Sequence, residues 1–312
     1  MIIPYQKLIF LIRAKDDIFL PYYKGSTFRG GFGNAFRRVA CPLRESLCSD
    51  CILKRECVYY YVFETPSFEN ANILNMHKYE RIPHPFVIEP PEGSFNVLPE
   101  GEKTEFGLIL IGKAIDYIPY FIYTFEQVGK KGIGKGRGKF TVEEVKVDHF
   151  NIYSKGILKK MSNKKIEISE NFKNQEGESL IEILIHTPLR IKHERKLLTE
   201  FNFQVFIKSL LRRITLIGFF HCNGETLKTP IGEILRLTDN IRVVNSNTRW
   251  FDWERYSSRQ ERKIKLGGIM GEVKLSGKIE PFMEILRAGE ILHAGKGTSF
   301  GLGRYEVRLI DK

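Results

Sequence analysis

Residues 289–310, GEILHAGKGTSFGLGRYEVRLI, pass from the end of an apolar helical pattern through a glycine-rich loop (289–303) into an alternating strand, Arg304 to Ile310. Residues 118–147, IPYFIYTFEQVGKKGIGKGRGKFTVEEVKV, repeat that order. Ile118 to Val128 is an apolar helix, 129–139 a second glycine-rich loop, and Phe140 to Val147 a strand. Upstream of each stretch the same elements recur. In the first half, a strand runs over the first 15 or so residues. A helix over 26–40, capped by Ser26, carries Phe28, Phe32, Ala35, Phe36 and Val39 on one face and Arg29, Gly33 and Arg37 on another. Residues 65–104, broken by Pro83, Pro85, Pro90, Pro91 and Pro99, read as extended loop and short strands, and Phe106 to Ile111 gives the next strand. In the second half, Leu180 to Ile191 reads as a strand. Phe203 to Phe220 reads as a helix with Lys208, Arg212 and Arg213 on its polar side. Lys265 to Leu275 is a strand pair bent at Gly267, Gly268 and Gly271, and a short helix begins at Pro281.

Each half therefore reads β-α-β-β-α-β, and the chain is α+β, with two tandem ferredoxin-like domains of the RRM type and a glycine-rich loop in each. The domains are expected at 1–155, with a cysteine-rich insert at 41–64, and at 156–312, joined within the lysine- and asparagine-rich stretch 151–177.

The chain has 312 residues, enough for two modest cores, and a formal net charge of +12. Composition excludes a disordered tail, a collagen and a disulfide-stapled toxin. No apolar run is long enough to span a bilayer and the start lacks a secretory signal, so a cytoplasmic protein is expected. Residues 1–155 carry 21 Lys+Arg against 18 Asp+Glu and residues 156–312 carry 28 against 19, so a polyanionic partner should lean on the second half.

Cys41, Cys48, Cys51 and Cys57 form C-x6-C-x2-C-x5-C, a set of soft ligands suited to one structural zinc, with an iron-sulfur cluster fitting less specifically. The loop GKKGIGKGRGK places Lys130, Lys131, Lys135, Arg137 and Lys139 among glycines, with charge and backbone amides for phosphate, yet Phe140 stands where a nucleotide P-loop needs Ser or Thr. The segment RWFDWERYSSRQERKIK, 249–265, interleaves Trp250, Phe251, Trp253 and Tyr256 with Arg249, Arg255, Arg259, Arg262 and Lys263, the pairing that stacks unpaired bases and binds phosphate. The last loop gathers His293, Lys296, Thr298 and Ser299, sufficient for proton transfer and oxyanion stabilisation at a phosphodiester. No carboxylate cluster suited to paired magnesium ions is evident, so no catalytic metal is expected.

RGGFGNAFRRVACP followed by CSDC, then CVYYYVFETP, KKGIGKGRGKF, RYSSRQ and LHAGKGTSFGLGRYEV resembles, in order and over nearly the whole chain, the Cas6 endoribonucleases of the RAMP superfamily, in the branch with a four-cysteine insert. The resemblance implies processing of CRISPR repeat RNA by one metal-independent cut, with the ribose 2′-OH as nucleophile and 2′,3′-cyclic phosphate and 5′-OH ends. Many members carry a general base His in or just after the first helix. Here helix 26–40 has none, and the nearest are His77 and His84. The expected catalytic residues are His293, or else Lys296 and Arg29 with a tyrosine such as Tyr22. RNA contacts are expected from Arg37, Arg38, Lys130, Lys131, Lys135, Arg137, Arg255, Tyr256, Arg259, Gln260 and Ser299. The alternative is a non-catalytic RAMP-type subunit holding guide RNA in an effector complex. The chain is expected as a monomer or homodimer.

Overall fold

The computed structural model describes residues 1–44, 46–66, 82–172, 177–257 and 262–310. These divide into two compact bodies, one of Pro4–Lys165 with Phe220–Cys222, the other of Met1–Ile3, Ile166–Phe219 and Asn223–Lys312. No helix among the described residues is long and apolar enough to cross a membrane.

The first body contains β1 (Ile2–Ala14), β2 (Ile18–Phe19), α1 (Gly25–Ala40), a π-helical turn at Tyr60–Glu64, β3 (Phe86–Glu89), β4 (Val97–Leu98), β5 (Lys103–Ile111), α2 (Ile118–Lys131), β6 (Phe140–Val147), β7 (Phe150–Ser154) and β8 (Ile157–Leu158). The sheet order β3-β5-β1-β6 with β1 antiparallel to both neighbours is the ferredoxin-like arrangement of β1-α1-β3-β5-α2-β6, and β7 and β8 extend it. The apolar stripe of α1 becomes the core: Phe28, Phe32 and Phe36 are buried, and Phe32 stacks on Phe121 and Phe125 of α2 at 5.1 and 5.2 Å between centroids. Burying each such ring stabilises the fold by about 1.5–3 kcal/mol. Ser26 is not the cap of α1. The helix begins at Gly25, and the Lys24 carbonyl accepts the Thr27 and Phe28 amides at 3.0 and 3.1 Å. The Lys24 ammonium is tied to the Gly93 carbonyl at 2.7 Å and lies over the Phe95 ring, which fixes the entry of the helix without a side-chain cap.

Then β9 (Lys164–Glu167) marks the chain's passage to the second body, which contains β10 (Ser179–Leu189), β11 (Lys192–His193), β12 (Lys196–Leu197), α3 (Phe203–His221), α4 (Ile231–Arg236), β13 (Ile241–Phe251), β14 (Glu254–Ser257), β15 (Arg262–Lys265), β16 (Gly268–Gly277), α5 (Met283–Leu292) and β17 (Tyr305–Ile310). Its sheet, β13-β16-β10-β17, repeats the ferredoxin-like order. Tandem ferredoxin-like folds are thus present. The second strand of this unit, β13, lies where no strand was expected, because IRVVNSNTRWF is solvent-exposed along most of its length and shows no inside-outside alternation. Gly271 is bent as anticipated. Its φ is +126°, and an added Cβ would meet the Asn247 carbonyl oxygen at 2.2 Å, so β13 approaches β16 there as only glycine permits.

Arg213 departs from its expected place on the polar side of α3. It is buried, its Nε donates to the Leu292 carbonyl at 2.8 Å, and burial lowers its pKa to about 9. A cation at the carboxyl end of α5 offsets the helix dipole where the last glycine-rich loop begins.

Candidate nucleic-acid interface

In the first body, α1 is capped at its end by Cys41, whose amide donates to the Arg37 carbonyl at 3.0 Å, and the cysteine insert follows. The chain returns through Tyr59 and the π-helical turn, which covers the face of α1 that the sequence leaves basic. Arg29 lies over the Phe63 ring at 4.0 Å and Arg37 near Tyr59 at 5.9 Å, while Tyr59 stacks on Phe63 at 5.3 Å. A Cβ on Gly33 would come within 2.3 Å of the Phe63 ring, so the absence of a side chain there is what lets the turn close down. Arg37 also donates to the carbonyls of Arg44 and Ser46, at 2.9 and 3.4 Å. Both arginines hold the insert.

The basic residues left at the surface gather elsewhere. Arg38 and Lys131 are exposed, and the Lys131 ammonium is held below the usual lysine range first by loss of hydration and then by the charges of Arg38 and Arg137. Arg137 itself sits at φ +57°, and the loop's amides are largely committed: Lys135 N–H donates to the Phe19 carbonyl at 3.0 Å and Ile133 N–H to that of Gly138 at 3.0 Å. At Gly134, φ is +73° and a Cβ would meet the Phe19 carbonyl at 2.1 Å. That glycine serves close packing on β2 and not an open phosphate cradle, so phosphate recognition here rests on side chains. Lys130 lies beside this group, near the end of α2.

The four cysteines are free thiols, with Cys41 buried and the others partly so. Burial and then the Glu64 charge raise the pKa of Cys48, Arg37 opposes them, and Cys41 and Cys57 raise it further, so these three sulfurs lie within electrostatic reach of one another. Among the described residues no three His, Cys, Asp or Glu side chains form a group able to hold a metal ion.

In the second body the glycine-rich loop 293–303 folds onto the end of β10. Lys296 N–H donates to the Arg190 carbonyl at 2.8 Å and Gly303 N–H to that of Pro188 at 3.1 Å. His293 has no exposed surface; it ends α5 at φ +61°, and its Nδ1 lies 3.2 Å from the Leu302 carbonyl. Ser299 and Thr298 are also buried. What the loop presents is Lys296, whose pKa is lowered by burial and then by Lys192, Arg190 and Arg212. Arg190 donates to the Gly267 carbonyl and is itself held down by burial, against the opposing charge of Asp252. Lys296, Arg190, Lys192 and Arg212 place four cations around one loop, a surface suited to a phosphate.

Beyond this, Arg249 and Trp250 lie exposed on β13, and β14 pairs with β15 as a hairpin that carries Arg255 and Tyr256 at strand positions. Arg259 and Gln260, like His77, fall outside the described residues. Of the anticipated residues, the structure brings Arg38, Lys131 and Arg137 together in one body, and joins Lys296 in the other to Arg190, Lys192 and Arg212. His293 and Ser299 are buried, while Arg29 and Arg37 are half-buried against Phe63 and Tyr59. Sequence reasoning omitted Arg190 and Lys192 from the site. Their signal was the pair of cations in LRIK, directly after an apolar strand.

A family model described as an N-terminal domain matches residues 3–167, and the model of the CRISPR-associated endoribonuclease Cas6 matches residues 183–305. An uncharacterized protein of Archaeoglobus fulgidus is 22% identical over 320 residues, covering 96% of this chain and 98% of its own. The fold is similar to that of a Cas6 product complex, with a TM-score of 0.55 at 14% identity over 98% of this chain and 100% of the other. Thermus thermophilus Cas6 gives 0.54 at 13% identity, over 98% of this chain and 99% of that one. The Cas6-bearing chain of a partial Cas6-RT-Cas1–Cas2 complex gives 0.58 at 14% identity, over 99% of this chain and 47% of that one.

Proposed function

We propose that the chain acts as an endoribonuclease of the CRISPR-associated Cas6 kind, the family whose model matches residues 183–305, and that it cuts CRISPR repeat RNA without a metal at the scissile bond. The ribose 2′-OH gives its proton to water as its oxygen bonds to the adjacent phosphorus, the P–O5′ bond breaks, and the departing 5′-oxygen takes a proton from water, leaving a 2′,3′-cyclic phosphate and a 5′-OH. The observation that carries this reading is the cation group at the last glycine-rich loop. Charge accumulates on the phosphorane oxygens in the transition state, and a prepositioned ammonium flanked by guanidinium groups stabilises it most at that moment. Lys296 is the catalytic residue in this scheme, with Arg190 and Arg212 supporting the phosphate. His293 acts as a positioning residue that holds the loop through the Leu302 carbonyl.

A second reading, a subunit that holds repeat RNA in a CRISPR effector complex without cutting it, is favoured by the complete burial of His293. Incubation of the purified protein with labelled repeat RNA in EDTA separates the two: cleavage at one bond supports the enzyme, and tight binding of intact RNA supports the subunit. We place this work in the cytoplasm, where transcripts are available. A structural zinc on Cys41, Cys48, Cys51 and Cys57 is a separate proposal about the insert; its support is their C-x6-C-x2-C-x5-C spacing, and the reaction does not pass through it.

A further inference from the structure

The first body contains a cleft of about 590 Å³ that the scheme above leaves unused, lined by Phe19, Leu20, Pro21, Tyr22, Thr27, Asn96, Val97, Gly134 and Lys135. Its walls are stitched together by the backbone: β2 pairs with β4, Leu20 N–H donates to the Asn96 carbonyl at 2.8 Å, and Lys135 N–H closes the other side onto Phe19. Two aromatic side chains remain at its rim, Phe19 at 47% and Tyr22 at 64% exposure. Exposed rings of this size are costly to leave in water, and here they flank a cleft that also carries an ammonium, a hydroxyl and a carboxamide.

We propose that this cleft is a subsite for one unstacked nucleotide of single-stranded RNA, its base on Tyr22 or Phe19 and its phosphate on Lys135. The inference rests on the RNA-processing reading and deepens it by naming the form of the substrate: the strand must be unpaired at this point. The volume lies within the usual 300–1,000 Å³ range of ligand pockets, which suits one base with its ribose. Aromatic rings beside a cation are the equipment for an unpaired base, since every base has a π-face. Charge complementarity selects RNA over an apolar peptide, because Lys135 continues along the same loop to Arg137, which acts electrostatically on Lys131.

The test uses the full chain and a short single-stranded oligouridine carrying one 2-aminopurine, whose fluorescence is quenched when it stacks. The wild type should quench the probe; Tyr22→Phe should keep that signal, whereas Phe19→Ala combined with Tyr22→Ala should abolish it and weaken binding by about five- to a hundredfold, the weight of one stacked base. Lys135→Glu, a change at an exposed loop position, should weaken binding of the same probe even if the aromatic double variant proves unstable. Wild-type affinity and quenching in both the double variant and Lys135→Glu would overturn the subsite while leaving RNA binding intact. Failure of the wild type to bind any single-stranded RNA would overturn the RNA-processing reading and the subsite with it.

Discussion

The guanidinium of Arg29 lies 4.0 Å from the centre of the Phe63 ring, so a residue expected to act in catalysis packs against the returning arm of the cysteine insert. The arrangement depends on Gly33, since the Phe63 ring occupies the space of its missing Cβ. Phe63 cannot retreat freely, because it also stacks near Tyr59, His84 and Phe86. Gly33→Ala should therefore destabilise the protein by about 1–3 kcal/mol through overpacking. Urea unfolding measures it, and in the double variant Phe63→Leu should recover part of the loss. Full additivity of the two changes would show that they do not meet.

The insert's thiols give a second expectation. Elemental analysis of protein purified without chelator should find one zinc per chain, and Cys51→Ser should release it and lower the melting temperature. Removal of a structural zinc is expected to cost several kcal/mol, since site and fold form together. Protein with neither zinc nor iron would leave four free thiols whose only role is packing.

Much of the fold was legible because its strongest signals are periodic. Phe28, Phe32 and Phe36 mark α1, and the ends of β6 at Phe140 and Val147 coincide with the alternating run. The strand β13 was not legible, since exposure removes the pattern that burial imposes. The site was read less well for a different reason. Residue type cannot tell a free surface arginine from one that packs on a ring, as Arg29 does, or a loop histidine from one folded inward, as with His293. Arg190 and Lys192 drew no notice because they matter only through the loop that folds back upon them.

Salt dependence tests the loop 129–139. Each phosphate neutralised on a single strand contributes about −0.7 to the slope of log affinity against log salt. Replacing Lys135 and Arg137 together by alanine should make that slope shallower by roughly 1 to 1.5, with a uniform loss of affinity across RNA sequences. An unchanged slope would assign both cations to solvent.

Proton linkage tests the last loop. In the free protein the Lys296 pKa lies below its ordinary value because of burial and then Lys192, Arg190 and Arg212. A bound phosphate would raise it again, so binding takes up a proton in the interval between the two values. Affinity should then fall as pH rises through the free-protein value, earlier than an unperturbed lysine would permit. Lys296→Arg should flatten this dependence, because guanidinium stays charged. Titration of RNA affinity across the alkaline range decides it, and an equal fall in both proteins would remove Lys296 from the contact.

The roles of Lys296 and His293 differ in what their loss should change. Lys296→Ala removes a charge that strengthens its hold as the phosphorane forms, so the single-turnover cleavage rate should drop by about 10²–10³ while affinity falls far less. His293→Ala removes a buried ring and its bond to the Leu302 carbonyl, so it should lower the melting temperature first and slow cleavage only as the loop loosens. Its rate-pH profile should keep the wild-type shape, whereas loss of a titrating limb would restore His293 as acid or base. A repeat RNA with one 2′-deoxy nucleotide immediately 5′ of the cut removes the nucleophile and preserves nearly all binding contacts. In EDTA it should bind like the natural RNA and remain whole. Cleavage of that RNA at the same bond would mean that water or another group attacks, and the assignment of Lys296 to a cyclising reaction would fail with it.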